Sequence, residues 1–284
     1  MKDQVYEIFR QCFPQFPIPK DIFFKLLNAD DCKFILRSEN GAAAGCSVIH
    51  KNCIRLLCIR PEYRGKGLGS SLLRESESFI AENGFDRAVL GGQDSELFIG
   101  AVTPEEQWDG LRNKFFEREG YRASSGCIEM KMSLKDFDLD KLDIPPCTDN
   151  VSFGYIGAED KEELCRAVSA VSPDWVQYFT FESPVLAAKL DSRIVGFCIV
   201  DENAETVISS GSNNVASIGC VGVIPEMRKH GVGLAMVAEA VRDVSQKGCS
   251  DAFIHYTYLE RWYGRLGFRT FLRLWFGEKE LDRK

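Results

Sequence analysis

The sequence has few histidines, no Cys-x-x-Cys pair and no long apolar run. Its three histidines and eleven scattered cysteines, an odd number, lack the spacing of a zinc site or a disulfide framework. The cysteines lie mostly among apolar residues, as in Phe197-Cys198-Ile199, where a free thiol behaves as a small buried hydrophobic group. We therefore predict reduced cysteines, no metal ion and, without a Cys–His signature, no cysteine nucleophile.

An excess of basic residues is also missing. The chain carries 35 Lys and Arg residues against 42 Asp and Glu residues, a net charge of -7, which disfavours binding to nucleic acid or an anionic membrane. No stretch is long enough to cross a membrane, and residues 1–7 are acidic where a signal peptide is basic. These absences predict a cytoplasmic protein without a nucleic-acid or membrane partner. The 284 residues, 45% hydrophobic, suit two globular domains.

One segment occurs twice, about 164 residues apart, at Leu57–Gly69 and Val221–Gly233. Each copy has an apolar strand, a Pro-Glu turn, an Arg-x-x-Gly-x-Gly loop and the start of a helix. The first N–H groups of a helix lack intrahelical partners and lie at the positive end of its dipole, so a glycine loop leading into a helix is typical of an anion site. Two such units at one spacing indicate a duplicated domain.

Two other phosphate-binding motifs do not fit these loops. A Walker loop requires Gly-Lys-Ser/Thr directly before its helix, which Gly67–Ser70 and Gly231–Leu234 both lack. A dinucleotide fingerprint requires glycines immediately after the strand, whereas here Pro-Glu-x-Arg intervenes. For a single copy a flexible solvated turn is the alternative, and the duplication argues against it.

Apolar periodicity predicts three strands before each loop, a long helix after it, and then a further strand and a short helix. Only the second half opens with a strand, at Val151–Ile156. The first half instead has a long connection at Gly91–Gly110, which we interpret as a lid or an interdomain contact. The stiff pair Pro145-Pro146 marks the domain boundary.

The repeated pattern resembles the GNAT superfamily of N-acetyltransferases, whose signature is Arg/Gln-x-x-Gly-x-Gly/Ala after a strand. A second element, Tyr258–Phe268, is similar to the Tyr-x-x-x-Gly-Phe helix end of that family and contains Tyr263, whereas the first copy has Phe116 at this place. The resemblance implies an α/β fold with a mixed sheet and two tandem GNAT-like acyltransferase domains. We assign residues 1–133 to a degenerate N-terminal domain, 134–150 to a linker and 151–284 to a catalytic C-terminal domain.

The resemblance also implies acetyl-CoA as the co-substrate. The loop amides would hold its pyrophosphate, and backbone groups of a strand splayed from its neighbour would hold its pantetheine arm. A plain buried strand is the alternative that the sequence leaves open. The residues so assigned are Val221, Val223, Arg228, Lys229, His230, Gly231, Val232 and Gly233 in the second copy, and Leu57, Ile59, Arg64, Gly65, Lys66, Gly67, Leu68 and Gly69 in the first.

Tyr263 is the predicted catalytic residue. A tyrosine with a pKa of about 10 is protonated at neutral pH, so it can give a proton to the thiolate that leaves when an amine attacks a thioester. Phe116 cannot, and the alternative for Tyr263 is a packing aromatic. The sequence names no general base, because a solvated turn explains the nearest carboxylates, which are Asp201, Glu202 and Glu205.

The sequence therefore predicts that the C-terminal domain transfers acetyl from acetyl-CoA to a primary amine of a small molecule or a peptide by direct attack. Two alternatives stay open. One is a non-catalytic acyl-CoA-binding sensor in which Tyr263 is only structural, and the other is an N-acetyltransferase of protein termini or lysines. The N-terminal domain either binds CoA without turnover or shapes the acceptor site.

Overall fold

The structure is a computed structural model that describes residues 1–284 except 93–95, 106–111, 136, 139–140, 143, 145–146, 148–149 and 283–284. The chain forms two compact units. The first contains Met1–Cys127, Glu205–Gly211 and Leu272–Lys284, and the second contains Ile128–Ala204 and Ser212–Phe271. The predicted boundary at Pro145-Pro146 lies outside the described residues.

The first unit is a mixed sheet with helices packed on it. Its helices are α1 (Lys2–Cys12), α2 (Lys20–Leu26), α3 (Leu68–Glu82) and α4 (Lys114–Arg118), and its strands are β1 (Lys33–Glu39), β2 (Ala42–His50), β3 (Cys53–Ile59), β4 (Arg87–Leu90) and β5 (Ala101–Val102), with parts of β6 (Arg122–Ser133) and β12 (Arg269–Glu280). Strands β1, β2 and β3 form an antiparallel meander, β4 runs parallel to β3, and β12 pairs antiparallel with β4. Leu72, Leu73 and Ile80 of α3 are fully buried in the core of this unit.

The second unit repeats this order and adds an opening strand, as predicted. It contains β7 (Val151–Ile156), α5 (Lys161–Val171), β8 (Val185–Leu190), β9 (Arg193–Asp201), β10 (Val215–Val223), α6 (Val232–Gln246), β11 (Asp251–Thr257) and α7 (Glu260–Gly264). Strands β7 to β10 pair antiparallel in sequence order, and β10 pairs parallel with β11. The mixed α/β fold predicted from the sequence is therefore confirmed in both units.

The last strand of each sequence half lies in the unit formed mainly by the other half. Strand β6 pairs through Ile128–Ser133 with β11 of the second unit, and β12 pairs through Gly277–Glu280 with β4 of the first. The side chain of Trp275, on β12, is fully buried in the core of the first unit. The bounds of the compact units reflect this strand exchange. The ranges 1–133 and 151–284 describe the two copies of the duplicated sequence and stay a prediction.

The long connection of the first half is described only in part. Strand β5 lies within it and pairs with β12 at Leu274 and Trp275. Residues 93–95 and 106–111 fall outside the described part, as does Leu111, the predicted first residue of the short helix. The interpretation of this connection as a lid or an interdomain contact stays a prediction.

Candidate active site

Each glycine loop ends in a left-handed residue that begins a long helix. Gly67 precedes α3 with φ 78°, and Gly231 precedes α6 with φ 80°, a conformation that glycine adopts without strain. Neither residue has a side chain that caps the helix, so the N–H groups of the first turn have no side-chain acceptor at the cap. Both helices have 15 residues and a full dipole at this end. The loops therefore have the backbone geometry that an anionic phosphate group requires.

The arginine of each motif fastens its loop to the preceding strand. Arg64 Nε donates a hydrogen bond of 2.9 Å to the Ile59 carbonyl, and Arg228 Nε donates one of 3.2 Å to the Val223 carbonyl. The ring of His230 lies within the loop itself, with Nδ1 2.9 Å from the Arg228 carbonyl. The arginine of the motif thus makes the same contact in both copies.

In the second unit the strand before the loop separates from its parallel neighbour. Strand β10 pairs with β11 only from Val215 to Ser217, although both strands continue, whereas β3 pairs with β4 up to Leu90, where β4 ends. The N–H of Ile224 bonds to the Val195 carbonyl of β9, on the side away from the separation. Because successive backbone groups in a strand point to opposite sides, those of Val223 face the opening.

The equivalent strand of the first unit has a similar orientation of its last residue. The N–H of Arg60 bonds to the Ala44 carbonyl, so the backbone groups of Ile59 point away from β2. Leu57 pairs with Ser47 of β2, whereas Val221 lies inside a bulge of β10 between Gly219 and Gly222. Because β4 ends at Leu90, its last paired residue, a splayed β3 stays a prediction for the first unit.

A cavity of about 800 Å³ lies along the N-terminal copy of the motif. It extends from the loop at Gly65 and Gly67 along β3 to Cys12 and Phe13 of α1, and Phe116 also lines it. The volume is within the range of small-molecule and cofactor sites, about 300–1,000 Å³. The first unit therefore contains a formed cleft at the place where the sequence predicts the cofactor.

An aromatic ring packs against the last glycine of each loop. A Cβ at Gly233 would lie 3.3 Å from the Trp262 ring and 3.2 Å from Val223 Cγ2, and a Cβ at Gly69 would lie 3.4 Å from the Phe115 ring. Contacts this short force the neighbouring groups to move. In both units an aromatic ring of the short helix, α4 or α7, thus packs against the last glycine of the loop.

Tyr263 and Phe116 occupy equivalent places with different surroundings. Tyr263 is buried, and burial raises the pKa of its hydroxyl above the usual value, with further contributions from the thiols of Cys198 on β9 and Cys220 on β10. The Tyr263 hydroxyl therefore shares its buried surroundings with thiols of two strands that precede the loop. The Phe116 ring packs in the core of the first unit beside Tyr121, and it has no proton to donate.

The carboxylates nearest to β10 in the sequence have local partners. Asp201 accepts a hydrogen bond from the backbone N–H two residues further on, at 3.0 Å. Glu202 pairs with Lys247 at 2.5 Å, and Glu205 pairs with Lys25. All three act in turns and surface ion pairs, in agreement with the solvated-turn interpretation.

Sequence reasoning missed a carboxylate–imidazole pair on β6 and β11 of the second unit. Glu129 of β6 is 2% exposed, and its Oε2 lies 2.7 Å from Nδ1 of His255 on β11. Its Oε1 accepts a hydrogen bond of 3.1 Å from the N–H of Tyr256. A glutamate inside the apolar run Cys127–Met132 is a signal in the sequence, but its partner is 126 residues away.

Two thiols of the second unit, on β9 and β10, are poor nucleophiles. Burial raises the pKa of Cys220 to about 11, and burial together with the neighbouring Cys220 raises the pKa of Cys198 to about 12. At pH 7 a thiol with a pKa of about 11 is ionised in about one molecule in 10⁴, and the thiolate is the reactive form. These surroundings agree with the prediction of an enzyme without a cysteine nucleophile.

Two strands, each followed by a glycine loop and a long helix, define a tandem acyltransferase architecture. The sequence model of the acetyltransferase (GNAT) family matches residues 2–97 and 153–268, more than half of the chain. The chain therefore belongs to the GNAT family of acetyltransferases, and the predicted family and tandem arrangement are confirmed. No curated protein sequence matches it significantly.

Solved structures share the fold over nearly the whole chain. The GNAT region of a fungal multi-domain GH3 β-N-acetylglucosaminidase, described as a glucosamine N-acetyltransferase, has 20% identity and a TM-score of 0.75 over 98% of this chain. This chain spans 36% of that protein. A GCN5-related N-acetyltransferase from Sphaerobacter thermophilus has 16% identity and a TM-score of 0.66, covering 98% of this chain and 91% of its own.

A tandem GNAT protein from the clavulanic acid biosynthesis pathway has 14% identity and a TM-score of 0.64, covering 100% of this chain and 95% of its own. At these identities the similarity establishes the fold, including its two-domain form. Within the part of the chain that the structure describes, no helix combines the length and the apolar character needed to span a membrane.

Proposed function

We propose that this acetyltransferase uses acetyl-CoA to acetylate a primary amine of a small molecule or a peptide, and that the second unit is the catalytic one. The observation that carries this assignment is the place of Tyr263. Tyr263 is buried at the motif position on α7, and only this copy of the motif has a proton donor at that position.

The residues of the second loop fit acetyl-CoA. The helix-start amides after Gly231 would bind the pyrophosphate, and the backbone groups of Val223 and of the bulge at Val221 face the opening that a pantetheine arm would enter. Lys229 and His230 add polar or positive groups near the phosphates, whereas Arg228 holds the loop to the strand.

In this proposal acetyl-CoA supplies the activated acyl group, and Tyr263 supplies a proton to the leaving sulfur. Burial raises the pKa of the Tyr263 hydroxyl, so it stays protonated at neutral pH and is available as a general acid. The amine attacks directly, because the buried thiols beside the site are almost entirely un-ionised.

The first unit, in the same proposal, binds acetyl-CoA without turning it over. Its loop and the strand before it repeat the sequence pattern of the second unit, and its cavity of about 800 Å³ lies along both. Phe116 lines that cavity in place of a tyrosine, so the cleft lacks the proton donor. The first unit would then act as a binding site or as part of the wall of the acceptor site.

A turnover assay tests the proposal. The full chain is mixed with acetyl-CoA and a panel of acceptors comprising alkyl amines, glucosamine and peptides with free amino termini or lysines, and free CoA is measured. Glucosamine is included because the fungal neighbour is described as acting on it. Release of CoA that depends on an amine supports the proposal. Binding of acetyl-CoA without release by any acceptor would instead identify a sensor.

A further inference from the structure

The buried carboxylate of Glu129 and the ring of His255 form a pair at the open end of the second sheet. Glu129 Oε2 is 2.7 Å from Nδ1 of His255, and Oε1 accepts from the N–H of Tyr256 at 3.1 Å. Both carboxylate oxygens are thus occupied, and the carboxylate fixes Nδ1 as the protonated nitrogen of a neutral imidazole. The other ring nitrogen, Nε2, is then the basic one. The side chain of His255 is 40% exposed, so a ligand can reach the ring.

The pair borders the gap between β10 and β11. The last parallel pair is Ser217 with Phe253, and two residues further on stand Gly219 on β10 and His255 on β11. Residues opposite each other in a parallel pair share one face of the sheet, so Gly219 and His255 lie on the same face, on either side of the opening. A Cβ built on Gly219 meets nothing within 4 Å, so open space lies beside His255 at this point.

The turn that follows Tyr263 lies on the opposite face of the sheet from His255. Gly267, at the end of the turn after α7, lies against Met132 Sδ, and Met132 pairs with Ala252. The His255 ring stacks on Phe253, with ring centroids 5.9 Å apart, and Phe253 points to the other face from Ala252. The segment that carries the proton donor and the ring of the proton acceptor therefore lie on opposite faces of the second sheet.

We propose that His255 is the general base that takes a proton from the acceptor amine, and that Glu129 is the positioning residue that holds its ring. This inference rests on the proposed acetyl transfer in the second unit. It also assigns a face to each substrate. The acceptor amine enters on the face of Gly219 and His255, and the sulfur leaves on the face of Tyr263.

The step balances as follows. His255 Nε2 takes one proton from the ammonium form of the acceptor, and the nitrogen lone pair attacks the acyl carbon, so the C–N bond forms. The C–S bond breaks, its electron pair goes to sulfur, and the Tyr263 hydroxyl protonates the thiolate. The second proton lost by the nitrogen returns to the Tyr263 oxygen through solvent, and His255 releases its proton to solvent.

The other charged groups on this face come from three strands. Lys131 of β6 lies with its Nζ 5.2 Å from the Phe271 ring. Asp251 lies two residues before Phe253 on β11, and Arg269 lies two residues before Phe271 on β12. Because residues two apart on a strand share a face, both charged residues belong to the face of these rings. Glu129 is in direct contact with the imidazole, so the pH profile tests this pair first.

The experiment measures kcat/KM against pH, at saturating acetyl-CoA, for the wild type, His255→Asn, Glu129→Gln and the control Glu202→Gln, which neutralises a carboxylate in a surface ion pair. We expect His255→Asn to lose about 10²- to 10⁴-fold at neutral pH. Its activity should recover as pH approaches the range in which the free amine itself loses a proton, near a pKa of about 10.4 for a lysine-like acceptor. For Glu129→Gln we expect a smaller loss of kcat/KM than for His255→Asn and a changed pH dependence on the acidic side of the profile. Glu202→Gln should match the wild type.

The outcomes separate this inference from the proposed function. Suppose that the wild type turns over, that Tyr263→Phe impairs this turnover and that His255→Asn leaves it unchanged at every pH. That result would overturn the assignment of the base and leave the proposed function intact. A loss in His255→Asn that is equal at all pH values would also overturn it, because a merely structural role predicts that result. Absence of turnover in the wild type with every amine would overturn both. Retained binding of two acetyl-CoA molecules per chain in each variant shows that the second unit is folded.

Discussion

Phe116 and Trp275 stack almost parallel in the core of the first unit, with ring centroids 6.0 Å apart and 6° between the ring planes. Phe116 stands where the second copy has Tyr263, and Trp275 comes from the last strand of the chain. The position that provides a proton donor in one copy thus provides a packing surface in the other. The first unit depends on β12 to complete its core.

We predict that Trp275→Ala destabilises the protein by about 3–5 kcal/mol, because it removes a fully buried aromatic side chain and leaves a cavity beside Phe116. Urea unfolding monitored by circular dichroism measures the change. Trp175→Ala is the control, since Trp175 is only partly buried, and a smaller loss is expected. Equal losses in the two variants would show that β12 adds little to the core.

The sequence predicted the local parts of this fold well, because they depend on short-range patterns. Strand β3 has the predicted bounds, Cys53–Ile59, since its apolar run ends at a Pro-Glu turn. Helix α3 begins after the glycine loop and ends at Glu82, just before Asn83-Gly84. The loop residues were found for the same reason, because their spacing alone defines the backbone turn.

The sequence does not predict which sheet β6 and β12 join. The apolar pattern of each strand is compatible with either sheet, and Trp275 contacts Phe116 only in the folded chain. The contact between Glu129 and His255 follows from this exchange, since Glu129 belongs to the first half of the sequence. A pair that forms across 126 residues leaves no local pattern for sequence reasoning to detect.

We predict that Gly231→Glu abolishes acetyl-CoA binding at the second unit and most of the turnover, because a carboxylate at the helix start repels the pyrophosphate. Gly248→Glu is the matched control, since Gly248 follows the other end of α6 with φ 85° and open space around its Cβ position. It introduces the same backbone strain without facing the phosphate. Calorimetric titration and turnover assays measure both effects. Equal binding by the two variants would contradict the cofactor assignment.

Gly67→Glu should affect binding and turnover differently. We expect the wild type to bind two molecules of acetyl-CoA per chain and Gly67→Glu to bind one, with a smaller loss of turnover than Gly231→Glu causes. Ligand at ~100 times its dissociation constant should stabilise the wild type by about 2.7 kcal/mol for each site. A larger loss of turnover in Gly67→Glu than in Gly231→Glu would place the chemistry in the first unit.

We predict that no cysteine becomes acetylated during turnover, because burial raises the pKa of Cys220 to about 11 and keeps the thiol protonated at neutral pH. Intact-mass spectrometry of the protein, quenched after mixing with acetyl-CoA in the absence of acceptor, should show the unmodified mass. A stoichiometric acetyl adduct that maps to a cysteine and disappears when amine is added would contradict direct attack.

Replacement of Tyr263 by Phe tests the central claim most directly, because it removes one hydroxyl and leaves the ring packed between Trp262 and Phe268. Tyr155→Phe is the control, since it removes a hydroxyl that bonds to Asp243 on the surface of the same unit. We predict that Tyr263→Phe lowers kcat by about 10²- to 10⁴-fold with little change in acetyl-CoA affinity, and that Tyr155→Phe keeps the wild-type rate. Full activity of Tyr263→Phe would contradict the assignment of the second unit as the catalytic one.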